Sequence, residues 1–498
     1  MPPGDELVLG VDVGTTLVKA AIYAPDGSCL GRGEAPQVVV SPRPGWVEQD
    51  PNDWWDGLCR ATADALARAG VPGERIAGIG VSTQGGTFAI FDQQGTPRGP
   101  ALVWSDGRLS RPEVDSPKLR EEHFQVTGVS RRSMTPAGLS WMKAHRPGWF
   151  APPYRVAFVP DYLTFRLAGE WVSDSTNLGI SNLHGLSDGD IALPVLTSIG
   201  VPREAFARTL RLGSGQARRA GEVAGLLQPA AARVLGLVEG IPVATPAHDQ
   251  YAAALGAGCV NPGDLLLSAG TAWALLMTSE RPIVDRKSSF WPGRHVQNGR
   301  WGLMGAISSG GSTLDMALDV TGQPRDWAQI NAGAGQIPPG SDGLMMIPHL
   351  TGRTLPTSDP GARGALLGWS LGHRREHLWR AAMEGVVLDV KVACGYLAEH
   401  GADMSALRMV GGAARSPLWA DIVASVLEVS VSVYSGGDIA VRGAACLARR
   451  ALGETDLPAA AEWSERRPVP EWREVYREQY ETYTKAVGRL EDGGLDSS

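Results

Sequence analysis

The chain has 498 residues, of which 43% are hydrophobic and 20% are charged, and its net charge at pH 7 is -7. This length exceeds what one hydrophobic core usually serves, so we expect two domains. The composition is typical of a globular protein, and the negative charge argues against nucleic acid or an anionic membrane as the partner.

Cysteine usage and the start of the chain indicate a cytoplasmic protein. The 5 cysteines are scattered and never spaced C-x-x-C, which argues against a zinc site or a disulfide framework. No apolar run is long enough to cross a bilayer, and the first residues lack the basic region of a signal peptide. We therefore predict a cytoplasmic location and no membrane partner.

The first predicted element is a β-hairpin over residues 7–23. Two apolar runs flank a turn made of Gly14, Thr15 and Thr16. Glycine lets the backbone approach a ligand, and threonine hydroxyls and turn N–H groups bond phosphate oxygens. Lys19 on the second strand is a candidate phosphate contact, with a solvated strand-end lysine as the alternative.

Asp12 ends the first strand of this hairpin. A carboxylate beside bound phosphates would repel them, so its most sensible role is to hold Mg²⁺, directly or through water. The alternative is an Asx-type turn residue.

Strands and helices alternate in the next two hundred residues or so. A helix is predicted from Asp50 or Asn52 as its cap, followed by a buried strand over residues 76–82. The Ala-rich stretch 203–238 predicts a helix that leads into a strand over 241–245. We place the domain boundary there, which gives domains 1–245 and 246–498.

Asp249 follows this boundary, in the first turn of a predicted small-residue helix. It is either a simple helix cap or the general base that takes a hydroxyl proton during attack on a γ-phosphate. His248 would tune that base or serve only in packing.

A second β-hairpin, over residues 264–277, repeats the first one with Gly270 and Thr271 in its turn. Two such turns facing each other across a cleft would hold a polyphosphate from both sides. The matched pair therefore predicts an ATP site.

Further glycine pairs occur in the second half. Gly411 and Gly412 precede Ser416, which caps a predicted helix, and such a loop lets adenosine approach bare backbone. A plain turn is an equal alternative, and Gly310 begins a weaker copy of the pattern. The sequence lacks a Walker A run and a strand-borne G-x-G-x-x-G, so P-loop and dinucleotide-binding folds are disfavoured.

Together these segments resemble the FGGY family of carbohydrate kinases, and the resemblance covers nearly the whole chain. It implies an α/β fold of the duplicated actin/hexokinase-like (ribonuclease H-like) ATPase type, with an inter-domain cleft. The motifs that carry it are residues 12–16 and 266–271 (phosphate loops), 411–419 (adenosine motif), 438–445 (the motif after it), 364–368 with 377–384 (C-terminal signature) and 248–250 (catalytic Asp). Gly138 and Trp369 depart from the family signatures, away from the phosphoryl-transfer groups.

The sugar-binding segments resemble the xylulokinase-like branch. The resemblance assigns the sugar hydroxyls to Gln84, Gly85, Trp104, Asp106 and Asp249. D-xylulokinases carry a Met-His pair where this chain has Gly85 and a second glycine, and glycerol kinases carry Arg-Glu nearby. Loss of these side chains predicts a larger pocket without an imidazole contact.

The sequence therefore predicts a kinase that uses ATP and Mg²⁺ to phosphorylate a primary hydroxyl of a small ketose, with a pentulose as the preferred substrate. A polyol kinase acting on erythritol or glycerol, and a non-catalytic nucleotide-gated regulator of the same fold, are the alternatives. The oligomeric state is open, a homodimer included.

Overall fold

The computed structural model describes residues 6–110, 116–129, 134–186, 193–202, 205–206, 217–307, 309–459 and 462–491. The strands before residue 249 are β1 (Leu7–Val13), β2 (Leu17–Tyr23), β3 (Cys29–Pro36), β4 (Glu48–Gln49), β5 (Ile76–Thr83), β6 (Phe88–Phe91), β7 (Ala101–Leu102), β8 (Arg155–Phe158), β9 (Val223–Leu226), β10 (Pro242–Ala244) and β11 (Ala247–His248). The helices of this half are α1 (Pro51–Ala69), α2 (Pro117–Thr127), α3 (Met134–His145), α4 (Val159–Ala168), α5 (Ser175–Ile180), α6 (Leu193–Ser198) and α7 (Pro229–Leu235).

The second half begins with a helix and again mixes both types of element. Its helices are α8 (Asp249–Ala257), α9 (Gly311–Val320), α10 (Trp327–Gly335), α11 (Arg375–Glu399), α12 (Pro417–Leu427), α13 (Ile439–Ala451) and α14 (Arg473–Glu491). Its strands are β12 (Leu265–Ala269), β13 (Trp273–Ser279), β14 (Trp291–Arg294), β15 (Trp301–Ile307), β16 (Met345–Ile347), β17 (Ala365–Leu367), β18 (Leu407–Val410), β19 (Val431–Tyr434) and β20 (Trp463–Arg466).

Two large sheets form the centres of the two lobes, and they share one topology. The first has the strand order β3-β2-β1-β5-β10-β9, with β11 also paired to β5, and the second contains the order β15-β13-β12-β18-β19-β20. In both sheets the successive pairs are antiparallel, antiparallel, parallel, parallel and antiparallel. The fold is therefore an α/β duplication, as predicted.

The register of the two sheets shows where the copies differ chemically. Asp12 on β1 pairs with Lys19 on β2 and with Ser82 on β5. The corresponding position on β12 is Ser268, which pairs with Ala274 and with a residue of β18. Only the first copy therefore brings a carboxylate to the start of its Gly-Thr turn.

A smaller sheet, with the order β4-β7-β6-β8, extends the first lobe. Its strand β6 is buried along its whole length and packs with α3 in a separate apolar cluster. This sheet carries the segments around Trp104 and Asp106, and so it positions the predicted sugar-binding residues.

Helix α13 of the second half lies directly on the first sheet. A Cβ atom added to Gly80 on β5 would lie 1.8 Å from the carbonyl oxygen of Ala444, and one added to Gly443 would lie 1.8 Å from the carbonyl oxygen of Ala252 on α8. Glycine at position 80 lets the backbones of the two lobes approach closely, and glycine at position 443 lets α13 approach α8. The contact fixes α8 and α13 side by side at the base of the cleft.

Most of the predicted elements that lie in the described part of the chain are present. Asp50 caps α1 as predicted, and both β-hairpins form. The prediction of continuous helix over 203–238 is wrong where it is described, because β9 pairs with β10 and only α7 is helical. Strand pairing at the sheet edge outweighs the local helix propensity there, and the remainder of that stretch lies outside the described residues.

Candidate active site

Asp12 lies at the carboxyl end of β1, where the sheet delivers it to the cleft. Its side chain is only 8% exposed, and its Oδ1 accepts a 2.6 Å hydrogen bond from the Ser82 hydroxyl. Burial raises the pKa of Asp12 well above its ordinary value, and the charges of Asp438 and Asp249 act in the same direction. The protein alone therefore stabilises the negative charge of ionised Asp12 only poorly.

Asp249 is the first residue of α8, directly after β11. Its Oδ1 accepts the backbone N–H of Gln250 at 2.6 Å, and its side chain is 30% exposed. Burial raises the pKa of Asp249, and Asp438 adds to this effect, whereas His248 and the Gln250 N–H oppose it. A partly exposed carboxylate with a raised pKa is suited to accept a proton.

A third carboxylate, Asp438, caps α13 and pairs with Lys19. The Lys19 ammonium lies 2.5 Å from Oδ2 of Asp438, and Oδ1 accepts the Ala440 N–H at 2.9 Å. Desolvation alone would lower the pKa of Lys19, but Asp438 and Asp12 outweigh it and the pKa is raised. Lys19 is therefore engaged between the lobes, and its contact with phosphate stays a prediction.

These groups share one cleft of about 440 Å³ between the lobes. Among the residues that line it are Asp12, Lys19, Asp249, Gly270, Gly411, Gly412 and Asp438. The two predicted catalytic aspartates therefore face the same cavity, Asp12 from the end of β1 and Asp249 from the segment after β11.

A second cavity of about 600 Å³ adjoins the cleft on the side of the second lobe. The two cavities have Gly270, Gly412 and Arg415 in common. Thr271, Gly311, Trp327, Asn331, Ser416 and Trp419 line the second one. Because the two cavities share these lining residues, they lie side by side, and an elongated ligand can extend from one toward the other.

The glycine loop and the neighbouring helix N-terminus shape this second cavity. Gly411 has a φ of +98°, and an added Cβ atom there would lie 2.7 Å from the carbonyl oxygen of Ala269. Ser416 caps α12 by accepting the N–H of Trp419 at 3.1 Å, and it also donates to Asn331. Gly310 packs against Trp273, and its neighbour Gly311 is the residue that lines the cavity.

The first Gly-Thr turn lies toward the sugar-binding segments. Gly14 donates its N–H to the carbonyl of Leu17 at 3.1 Å, and Thr16 is exposed. The Thr15 hydroxyl donates to Gln84 at 2.8 Å and accepts from the Trp104 indole at 3.1 Å. Thr15 therefore joins the phosphate turn to two of the predicted sugar residues.

Gln84 and Trp104 differ in how accessible they are. Gln84 is buried, accepts from Thr15 and Thr87, and donates to Gln49 at 2.8 Å. Trp104 is 39% exposed. Trp104 thus has surface left for a ligand, whereas the Gln84 amide is already hydrogen-bonded at both ends.

Asp106 is fully buried, and all of its acceptor positions are occupied by the protein. Oδ1 accepts from the backbone N–H and Nε of Arg108, and Oδ2 accepts from the N–H of Val47 and from Arg108 Nη2. Asp106 therefore holds Arg108 and the segment before β4, and its direct contact with a sugar stays a prediction.

The space beside Gly85, one of the two glycines behind the predicted larger pocket, is occupied. An added Cβ atom at Gly85 would lie 2.2 Å from Cδ2 and 2.6 Å from Nε2 of His248. The imidazole of His248 occupies the room that a side chain at position 85 would take.

Models of known protein families identify the chain. The N-terminal domain of the FGGY family of carbohydrate kinases matches residues 7–256, and the C-terminal domain of that family matches residues 265–452. The chain belongs to the FGGY family of carbohydrate kinases. This FGGY protein is accordingly an ATP-dependent sugar kinase by family.

Curated relatives of this FGGY kinase act on different substrates. A glycerol kinase of Alkalilimnicola ehrlichii is 31% identical over 92% of this chain and 92% of its own length. A xylulose kinase of Escherichia coli is 28% identical over 95% of this chain and 99% of its own. Because these identities are similar, they leave the substrate of this FGGY kinase unassigned.

A solved xylulose kinase from Rhodospirillum rubrum superposes with a TM-score of 0.86 at 29% identity, over 98% of this chain and 99% of that one. No helix in the described ranges has the length and apolar character of a membrane span.

Sequence reasoning missed several residues of the FGGY kinase site. Ser82 reaches Asp12 only through the pairing of β1 with β5, which no local pattern reveals. Asp438 begins the motif over residues 438–445 but was not predicted as a site residue, although an aspartate before a helix signals a cap. Arg415 lines both cavities, and its place in the glycine loop was a usable signal.

Proposed function

We propose that this kinase transfers the γ-phosphoryl group of ATP to a primary hydroxyl of a small ketose, with a pentulose of the xylulose type as its substrate. The observation that carries the proposal is the shared cleft: Asp12 and Asp249 line one cavity, which continues into a second at Gly270 and Gly412.

Asp249 is the general base of the proposed reaction. It takes the proton of the attacking hydroxyl while the new O–P bond forms and the bond from the γ-phosphorus to the bridging oxygen of ADP breaks. Its raised pKa and its partial exposure in the cleft support this role.

Asp12 is the residue that would hold Mg²⁺, directly or through water. One of its oxygens is bound to Ser82, and its pKa is raised by burial and by two neighbouring carboxylates, so a cation there would relieve an unfavourable charge. Mg²⁺ usually takes one or two carboxylates plus water and phosphate oxygens. Bound Mg²⁺ would neutralise charge on the transferred phosphoryl group.

The nucleotide would extend from the cleft into the second cavity. In the proposal the turns at Gly14, Thr15 and Thr16 and at Gly270 and Thr271 hold the phosphates. Gly411, Gly412 and Ser416 line the adenosine, with Gly310 behind the turn. The position of Gly270 and Gly412 in both cavities supports this path.

A polyol kinase acting on glycerol or erythritol is the second candidate. The 31% identity to a glycerol kinase favours it. In both candidates Trp104 offers an apolar face to the carbon chain, since it is the exposed member of the sugar-side network.

The proposed boundary between the lobes lies at residues 245/246. Strand β11, just beyond it, still pairs with β5 of the first sheet. A cytoplasmic location and a homodimer stay predictions.

A coupled assay of ADP release by the full chain with Mg-ATP tests the proposal. The acceptors are D- and L-pentuloses, hexuloses and small polyols, each compared with a reaction without acceptor. We expect release only with an acceptor, and fastest with a pentulose. Asp249→Asn keeps the Oδ1 acceptor for Gln250, and should lower kcat by about 10²- to 10⁴-fold with ATP affinity nearly intact. Hydrolysis independent of acceptor, or full turnover by Asp249→Asn, would refute the assignment.

A further inference from the structure

The imidazole of His248 and the missing side chain of Gly85 form a matched pair. Gly85 is not in the left-handed backbone region, so its backbone would accept other residues. The obstacle is steric, because an added Cβ atom would lie 2.2 Å from the His248 ring and 3.1 Å from Cγ2 of Ile180. The ring therefore takes the place of a side chain on the sugar-side loop.

Hydrogen bonds on both sides of His248 fix the orientation of the ring. Its backbone N–H donates to the Thr176 hydroxyl at 2.8 Å, and its Nδ1 accepts the backbone N–H of Gln250 at 3.2 Å. Nδ1 also lies 3.2 Å from Oδ1 of Asp249. Nε2 carries a proton both in the neutral ring whose Nδ1 accepts from Gln250 and in the imidazolium paired with Asp249, so Nε2 is a donor in either state. Within the described ranges no hydrogen bond is made by Nε2, which lies over Gly85.

We propose that His248, whose ring takes the place of a side chain at position 85, is a specificity-determining residue that donates its Nε2–H to an acceptor oxygen of the sugar. This inference rests on the proposed function, since it assigns the sugar to the space beside Asp249. His248 precedes the general base directly, so a contact with its ring orients the sugar close to the reacting hydroxyl.

The same geometry favours a ketose over a polyol. A carbonyl oxygen only accepts hydrogen bonds, whereas a polyol hydroxyl at that position brings a proton that needs an acceptor. On the same loop, the Gln84 amide oxygen already accepts from Thr15 and Thr87. A fixed donor beside an occupied acceptor therefore matches a ketose carbonyl.

The main test variant is His248→Asn. Asparagine is a good helix cap, so it preserves the acceptor for the Gln250 N–H while removing the ring from above Gly85. We expect the KM for the ketopentose to rise about three- to tenfold, as for loss of one hydrogen bond, with the KM for ATP unchanged. The KM for the corresponding pentitol should change less.

A double-mutant comparison separates this role from a merely structural one. Gly85→Ala forces the ring aside and should raise the ketopentose KM in the His248 background. In Gly85→Ala/His248→Asn the methyl group enters the space that the ring has left. The rise in ketopentose KM of this double variant should therefore be well below the product of the two single-variant rises.

The outcomes distinguish the inference from the proposed function. A wild-type enzyme that phosphorylates none of the acceptors would refute the proposed function itself. With an active wild type, three results would overturn the inference alone. The first is a ketopentose KM that His248→Asn leaves unchanged, and the second is a pentitol KM that rises equally. The third result is a double variant whose ketopentose KM rises by the product of the two single effects.

Discussion

The Lys19 ammonium on β2 lies 2.5 Å from the Asp438 carboxylate at the N-terminus of α13, so an ion pair joins the two lobes beside the catalytic aspartates. The charge of Lys19 does not fully cancel the effect of the Asp438 charge on nearby carboxylates. Asp438 still raises the pKa of both Asp12 and Asp249. Burial is the larger cause of both shifts, and Asp438 at the interlobe contact adds to it.

Replacing Asp438 by asparagine should shift the pH profile of the kinase. The variant keeps the cap on α13 but removes the charge that raises the pKa of Asp249 and Asp12. The general base must be deprotonated, so the acidic limb of kcat/KM should move to lower pH. A weaker base also transfers the proton less readily, and the plateau should fall about two- to fivefold.

The control for this experiment is Asp438→Ala, which removes the charge and the cap together. It should show the same shift in pH with an additional loss of thermal stability. An acidic limb that stays in place or moves to higher pH in Asp438→Asn would contradict the electrostatic role.

Asp12→Asn should inactivate the enzyme while stabilising its ligand-free fold. The folded-state pKa of Asp12 is raised, so its ionisation weakens the fold as pH rises above the ordinary carboxylate range. Asparagine keeps an acceptor for Ser82 and carries no charge. We expect kcat to fall at least about a hundredfold, and Tm at pH 7 without nucleotide or Mg²⁺ to rise by about 1–3 °C. A lower Tm would show that the charge is compensated in the free enzyme.

The parts of the site that the sequence predicted are those with local signals. The Gly-Thr turns and Asp12 lie in apolar strand pairs, whose pattern is visible within about 20 residues. Asp249 follows a strand and begins a helix, so the local pattern also predicted its position at a strand end. The interlobe pairing of Lys19 with Asp438 was not, because it depends on how α13 packs on the first sheet.

Two further differences concern Gly85, where the reason is a pairing of distant strands, and Asp106, where the reason is a neighbouring residue. Filling of the space at Gly85 by His248 depends on the pairing of β11 with β5, which brings distant segments together. The burial of Asp106 had a local sign, since Arg108 lies two residues away and satisfies both of its oxygens. A polar residue in a sugar-binding segment is thus not always a sugar contact.

Replacing Asp106 by alanine should chiefly reduce stability. Arg108 is 1% exposed, and without Asp106 it would retain only Glu48 as an acidic partner in the described structure. Breaking a buried ion pair in this way typically lowers the free energy of unfolding by about 3–5 kcal/mol. We expect a lower urea midpoint, with a sugar KM within about threefold of wild type in the folded fraction.

Glu48→Gln is the matched control, since Arg108 then keeps Asp106, and the loss should be about 1 kcal/mol. A strong rise in sugar KM with normal stability in Asp106→Ala would instead make Asp106 a direct sugar contact.

Gly80→Ala tests the backbone contact that joins the lobes. Its methyl group would lie 1.8 Å from the carbonyl oxygen of Ala444, an atom of the α13 backbone that has no side-chain freedom to move. The helix would have to lift from β5, which should lower the free energy of unfolding by about 3 kcal/mol or more and raise the KM for ATP.

Gly395→Ala on α11 is the control, since an added Cβ atom there meets nothing within 4 Å. It should stabilise the helix by about 0.5–1 kcal/mol. Urea unfolding of both variants decides the matter, because equal stability would mean that α13 is not held against the first sheet in solution.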